Sequence, residues 1–157
     1  MTNLNLMDPR AIKRILVPTD FSDPSHDALT TAMGFASAFG GALDLVHVTL
    51  ASAYILPPPI DVGTIPMDVS KSLEQATAGL ASEEARVRAA GLPCESATLF
   101  GRPDTEIVER AITTRADLIV MGTHGRSGLA HALMGSVAER VVRHSPCPVL
   151  IVPQRAK

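Results

Sequence analysis

The sequence predicts a single α/β domain: a doubly wound, five-stranded parallel sheet with helices on both faces. Three observations carry this expectation. Short apolar runs alternate with longer amphipathic stretches along all 157 residues, the signature of repeated βαβ units. That length suits one core of ordinary size. The hydrophobic fraction, 46%, is enough to fill it, and an aromatic content of 3% makes the filling aliphatic. Right-handed crossovers restrict the possible topologies, and the flavodoxin-like order 3-2-1-4-5 is expected.

Each element has a local reason. Residues 12–17 read as the first strand, stopped by Pro18. Ser22 or Asp23 caps the first helix, whose Pro24 suits a first turn. Ala28, Leu29, Ala32, Met33, Ala36 and Phe39 share one face of it, and Gly40-Gly41 ends it. Residues 42–48 form the second strand. Residues 49–67 contain Pro57-Pro58-Pro59 and Pro66; such a run joins neither a helix interior nor a central strand, which predicts a surface loop. A helical pattern resumes from Asp68 to about Ala90 through Leu73, Ala76, Leu80 and Val87, and stops at Gly91. Residues 93–100 read as the third strand, and Pro103 opens the third helix. Residues 117–121 are apolar on both faces, which predicts a central fourth strand. A final helix begins near Val137 and ends near Ser145-Pro146, and residues 148–152 make the fifth strand.

Composition removes several function classes. A net charge of −2 provides no basic footprint for nucleic acid. No apolar run approaches the roughly 18 residues of a membrane helix, and the polar opening MTNLNLMDPRAIKR has no secretory core. Cys94 and Cys147 are too few for a disulfide framework. They fall on opposite sheet edges under the expected order, so two reduced thiols are expected. A soluble, cytoplasmic protein is the expectation.

In a sheet of this order, ligands bind beyond the carboxyl ends of the strands where the order reverses, here between the first and fourth strands. Pro18-Thr19-Asp20 leave the first strand there, and Met121-Gly122 leave the fourth. The chain then runs Gly122-x2-Gly125-x9-Gly135-Ser136 into a helix. Glycines let backbone N–H groups approach an anion, and a helix start offers unpaired N–H groups at its positive end. The spacing is neither a Walker A loop nor a Gly-x-Gly-x-x-Gly turn. Ser136 and Glu139 also fit an S-x-x-E capping box, a reading compatible with phosphate contact by Ser136. Asp20 is either a turn residue or a contact to a ribose hydroxyl or a magnesium-bound water. His124 and Arg126 are either solvated or, for Arg126, within reach of a terminal phosphate. His47, inside an apolar strand, reads as a hydrogen-bonded core histidine.

From Lys13-Arg14-Ile15-Leu16-Val17-Pro18-Thr19-Asp20-Phe21-Ser22 to Pro148-Val149-Leu150-Ile151-Val152-Pro153, the chain resembles the universal stress proteins, specifically the ATP-binding branch. The resemblance implies an adenine nucleotide alpha hydrolase-like fold. It implies that Pro18, Thr19, Asp20, Val48 and Met121 line the adenosine side, and that Gly122, Gly125, Gly135, Ser136 and Val137 wrap ribose and phosphates. Ala138 stands where some members carry threonine, which removes one hydroxyl contact. The implied ligand is ATP, with AMP and cyclic AMP as alternatives and Mg2+ as a companion ion.

No Ser-His-Asp set, metal-ligand spacing or general base beside the phosphates is legible. The expectation is a stress-response sensor or switch with slow or no hydrolysis, at most a weak ATPase. An adenylate-using enzyme and a nucleotide-independent dimeric scaffold are the alternatives. The apolar fifth strand at a sheet edge predicts a homodimer through residues 148–153.

Overall fold

A computed structural model describes residues 12–49, 67–123 and 134–153. The elements run β1 (Arg14–Pro18), α1 (Asp23–Phe39), β2 (Ala42–Thr49), α2 (Met67–Ala89), β3 (Cys94–Phe100), α3 (Pro103–Thr114), β4 (Leu118–Gly122), α4 (Ser136–His144) and β5 (Val149–Val152). The five strands form one parallel sheet in the order β3-β2-β1-β4-β5. The order expected from the sequence is the order found. Of the loop expected over residues 49–67, only Thr49, closing β2, and Met67, opening α2, lie among the described residues.

Strand alternation divides the core into two layers. Ile15, Val17, Leu43, Leu45 and Val120 turn toward α1 and α2, where Leu29, Ala32, Leu80 and Val87 cover them. Leu16, Val46, Ile119 and Met121 turn the other way, under Ile107 and Ala111 of α3 and Val141 of α4. Asp44 shares that second face and is 1% exposed. Its carboxylate accepts two hydrogen bonds from Arg110 of α3, from Nε and from Nη2, each 2.9 Å long. This fork-on-fork pair fastens α3 to β2, since a charge so deeply placed needs a partner.

Turn chemistry sets most boundaries. Pro24 sits in the first turn of α1, and Gly40 ends the helix in the left-handed region (φ 66°), donating its N–H to Ala36. Glycine takes that conformation without penalty. Each strand differs from the sequence reading by a residue or two at one end or both. β1 starts at Arg14 and runs through Pro18, and β4 runs through Gly122. In β1, Pro18 needs no donor, and Thr19 supplies the next N–H, to Val46 (2.8 Å).

The N-cap expected for α1 is the one found, without its side-chain bond, whereas the capping box expected at α4 does not form. Ser22 holds the N-cap position of α1, but its side chain makes no cap bond; its hydroxyl donates to Asp20 Oδ1 at 2.5 Å. Gly135, not Ser136, is the N-cap of α4. Ser136 therefore lies one residue inside the helix, beyond the place from which a cap oxygen meets the N2 or N3 amide. Glu139, the second half of the expected box, instead accepts from Arg143 (2.9 Å).

Cys94 and Cys147 are free thiols at opposite edges of the sheet, as expected. Burial pushes the Cys94 thiol up to about 12 and raises that of Cys147 as well. Among the described residues no helix is long and apolar enough to cross a membrane.

Candidate functional site

The strand order reverses between β1 and β4. Successive crossovers there leave in opposite directions, which opens a crevice beyond the carboxyl ends. The turn that follows β1 is tightly specified. Asp20 Oδ1 accepts the Ser22 backbone N–H at 3.1 Å as well as the Ser22 hydroxyl. Thr19 Oγ1 accepts the Phe21 N–H (3.1 Å), and Ser25 Oγ donates to the Ser22 carbonyl (2.9 Å). His47 Nδ1 donates to the Thr19 carbonyl at 2.8 Å, so His47 is hydrogen-bonded as expected, but it is half-buried and not a core residue. Phe21 stands at φ 64°, a strained conformation for a bulky side chain. Its ring stacks on His47, centroids 4.7 Å apart.

Across the crevice, β4 ends at Gly122. A Cβ on this residue would lie 2.9 Å from both the Cβ and the carbonyl oxygen of Pro24. The glycine thus lets the end of β4 and the start of α1 close on each other. This packing requirement is separate from the anion-binding reason that the sequence suggested. Gly135 N–H donates to the Thr123 carbonyl (2.8 Å), so the chain that leaves β4 returns beside its point of departure and enters α4. The first helical bond of α4 runs from Glu139 N–H to Gly135 O. The N–H groups of Ser136, Val137 and Ala138 precede it and have no intrahelical acceptor. They are the positive end of the helix dipole.

These segments enclose a cleft of about 230 Å³. Pro18, Thr19 and Asp20 form one side, Val48 and Met121 the sheet floor, and Gly122, Gly135, Ser136 and Val137 the side toward α4. All nine were expected at the site from the sequence. His124, Gly125 and Arg126 lie outside the described residues. The cleft also includes Ser25, Val46, Pro103, Ile107 and Thr123, which the sequence reading did not assign, and Ala138, which it noted only for a missing hydroxyl contact. Val46 was within reach of it: strand alternation puts it on the same face as Val48. Pro103 and Ile107 reach the cleft only because α3 folds back over β2, and no local pattern marks them.

The chemistry of the wall is plain. Val46, Val48, Ile107 and Met121 offer an apolar slot for a flat or aliphatic group, and the start of α4 offers N–H donors for an anion. Among the described lining residues Asp20 is the single carboxylate, and none is lysine, arginine or histidine. Among the described residues no group of three or more His, Cys, Asp or Glu side chains is placed to hold a metal. Asp20 Oδ1 is committed to Ser22, so these residues do not by themselves build a magnesium site.

Behind the turn, on the α2 side, lies Glu83, 5% exposed. Its Oε1 accepts from Thr19 Oγ1 at 3.2 Å and from His26 Nε2 at 3.1 Å. Burial raises its pKa, against the lowering effects of the Thr19 hydrogen bond and of His26 and Arg86, with Asp20 adding a smaller upward push. The sequence carries no signal for this residue, because its partners are 64 and 57 positions away (83 − 19 and 83 − 26).

Known proteins share this architecture. The family model described as the universal stress protein family matches residues 11–153. A universal stress protein of Methanocaldococcus jannaschii is 36% identical over 145 residues, covering 92% of this chain and 84% of its own. A second protein from that organism, solved as a test case of structural genomics, superposes with a TM-score of 0.79 at 29% identity, over 93% of this chain and 99% of its own. A universal stress protein crystallised in complex with cAMP gives a TM-score of 0.66 at 30% identity, over 92% and 98% of the two chains. The chain belongs to the universal stress protein family.

Proposed function

We propose that the cleft between β1 and β4 binds an adenine nucleotide, ATP foremost, and that the protein acts as a nucleotide-dependent sensor or switch in a stress response. One observation carries the reading. An apolar slot (Val46, Val48, Ile107, Met121) adjoins both a hydroxyl-accepting residue, Asp20, and the open N–H end of α4. Base, ribose and phosphate each find a matching surface in that order. The cAMP-bound relative supports an adenine nucleotide in general. AMP and cyclic AMP are therefore the alternatives to ATP. Magnesium enters only as the companion of the nucleotide phosphates, with Asp20 the nearby carboxylate.

Hydrolysis is slow or absent in this reading. Phosphoryl transfer needs a positioned nucleophile together with charge neutralisation, and the described wall supplies backbone N–H groups without a cationic side chain. A second copy of the chain pairs along residues 148–153: β5 is an edge strand bonded to β4 on one side, an arrangement that monomers usually protect. A monomeric mass at micromolar concentration contradicts the pairing.

The test is to denature freshly purified protein and identify the released nucleotide by chromatography and mass spectrometry. Adenine nucleotide near one per chain supports the proposal. An empty protein that also ignores added ATP, AMP and cyclic AMP overturns it. Turnover near the ~10 per second of ordinary enzymes removes the switch reading and leaves an ATPase.

A further inference from the structure

Three residues of α2, at i, i+4 and i+7, form a seam against the turn after β1 and the helix that follows it. Gly79 faces the ring of Phe21. A Cβ at Gly79 would lie 2.7 Å from its Cε1, 2.8 Å from Cζ and 3.0 Å from Cδ1. Glu83 takes hydrogen bonds from Thr19 and His26. Arg86 Nη2 donates to Thr30 Oγ1 (2.8 Å). Leu80 and Val87 of the helix pack in the core against the sheet, and Ala76 is buried as well, so this seam is a flank and does not form the core contact.

The seam holds a part of the chain that needs holding. Phe21 adopts a left-handed backbone conformation that an aromatic residue does not choose by itself, and such strain persists only where the surroundings over-determine it. Four contacts do so here: the Gly79 slot, the His47 stack, the Phe21 N–H to Thr19 Oγ1, and the Thr19 hydroxyl to Glu83. Two of the four come from α2. The same turn presents Thr19 and Asp20 to the cleft. Glu83 is costly to bury, with Oε2 finding no hydrogen-bond partner among the described residues. A hydrophobic residue would fill the position at lower cost if packing were its purpose.

We propose that Glu83 and Gly79 are positioning residues for the nucleotide site, acting through the turn of residues 19–22, so that the seating of α2 sets nucleotide affinity. This rests on the adenine-nucleotide reading of the cleft. Glu83 acts through the Thr19 hydroxyl, and Gly79 by giving the Phe21 ring room beside His47. The ring is held at both ends, by its stack on His47 and by a left-handed backbone, so moving it away from a methyl at position 79 disturbs the stack or the turn that carries Asp20.

The test is calorimetric titration of AMP and of ATP into the full chain and four variants, with amide hydrogen exchange of residues 19–22 measured without ligand. Gly79→Ala places the better helix former in mid-helix and should leave the helix content intact. It should still weaken nucleotide binding by about tenfold or more, the scale on which small misplacements of binding groups act. Adding Phe21→Leu, which deletes the Cε1 and Cζ atoms that the new methyl meets, should recover most of the lost affinity. Glu83→Ala should weaken binding and speed exchange in the turn. Glu83→Gln, which keeps an oxygen for the Thr19 hydroxyl, should bind within about twofold of the parent. Rescue of Gly79→Ala by Phe21→Leu together with rescue of position 83 by glutamine is the supporting result. Parent-like affinity and exchange in Gly79→Ala and Glu83→Ala overturn the proposal and leave the nucleotide reading standing. A parent protein that binds neither AMP nor ATP fails the nucleotide reading, and the proposal falls with it.

Discussion

Gly122→Ala adds a single methyl group where the end of β4 meets the start of α1. That methyl would lie 2.9 Å from the Pro24 Cβ, 2.9 Å from its carbonyl oxygen and 3.0 Å from its carbonyl carbon. Ordinary contact begins near 3.4 Å, so the two segments must part by about 0.5 Å (3.4 − 2.9). Two of the three opposing atoms are backbone, and Pro24 is buried in the first turn of α1, so no side-chain rotation relieves the conflict. Overpacking of this kind costs about 1–3 kcal/mol. At roughly 2–4 °C per kcal/mol for a domain of this length, Tm should fall by about 2–12 °C. The displaced start of α1 also carries Ser25, which lines the cleft and is bonded to Thr19 and to Ser22, so AMP and ATP should bind more weakly. Thermal unfolding followed by circular dichroism, with calorimetric titration of both nucleotides, measures the two effects. Pro24→Ala in the same chain should not rescue either, because the carbonyl remains. A Tm within about 1 °C of the parent and unchanged affinity would refute the reasoning, as would full rescue by Pro24→Ala.

Three further outcomes follow from the same geometry. Asp44→Asn halves the acceptor set of a buried guanidinium pair. It should cost about 3 kcal/mol in urea unfolding, the low end for breaking such a pair, because the Arg110 side chain keeps 25% exposure; a loss below about 1 kcal/mol contradicts the buried-pair reading. Glu83 has a raised carboxyl pKa in the folded state, so its contribution to stability is complete below the ordinary carboxylate pKa and is lost as pH rises through the raised value. The parent-minus-Glu83→Gln difference in urea midpoint should therefore decline across that window and then level; a flat difference contradicts the shift. Gly135 has φ −62° and ψ 151°, which serine adopts freely, and serine is a favoured N-cap. Gly135→Ser should hold or raise Tm while lowering nucleotide affinity, because the new hydroxyl competes for the N–H groups at the start of α4. Parent-like affinity would remove those groups from the site.

The fold was legible because its determinants are local. Strand runs, Gly40 after α1, the prolines at 24 and 103 and the apolar run of β4 each act within a few residues of themselves. Crossover handedness then ordered the strands. The site was half legible for a related reason. Residues at strand ends, such as Asp20 and Gly122, sit at the switch point by topology alone, whereas Ile107 and Pro103 arrive there through the packing of α3. Position 122 was identified correctly, but its glycine is also required by the approach of Pro24, a contact with a helix 98 positions earlier (122 − 24). The S-x-x-E pattern misled because Gly135, bonded to Thr123, already occupies the cap. Phe21 gives no sequence sign of its backbone strain, since what enforces it is a glycine and a histidine from other elements.

The most direct measurement is a titration of ATP into isotope-labelled protein, followed amide by amide in NMR spectra. If the cleft is the nucleotide site, the amides of Thr19, Gly122, Ser136, Val137 and Ala138 shift together with one Kd, while those of Cys94 and Glu95 at the far sheet edge stay in place. Shifts confined to residues away from β1, β4 and α4, or none at millimolar ATP, would contradict the account.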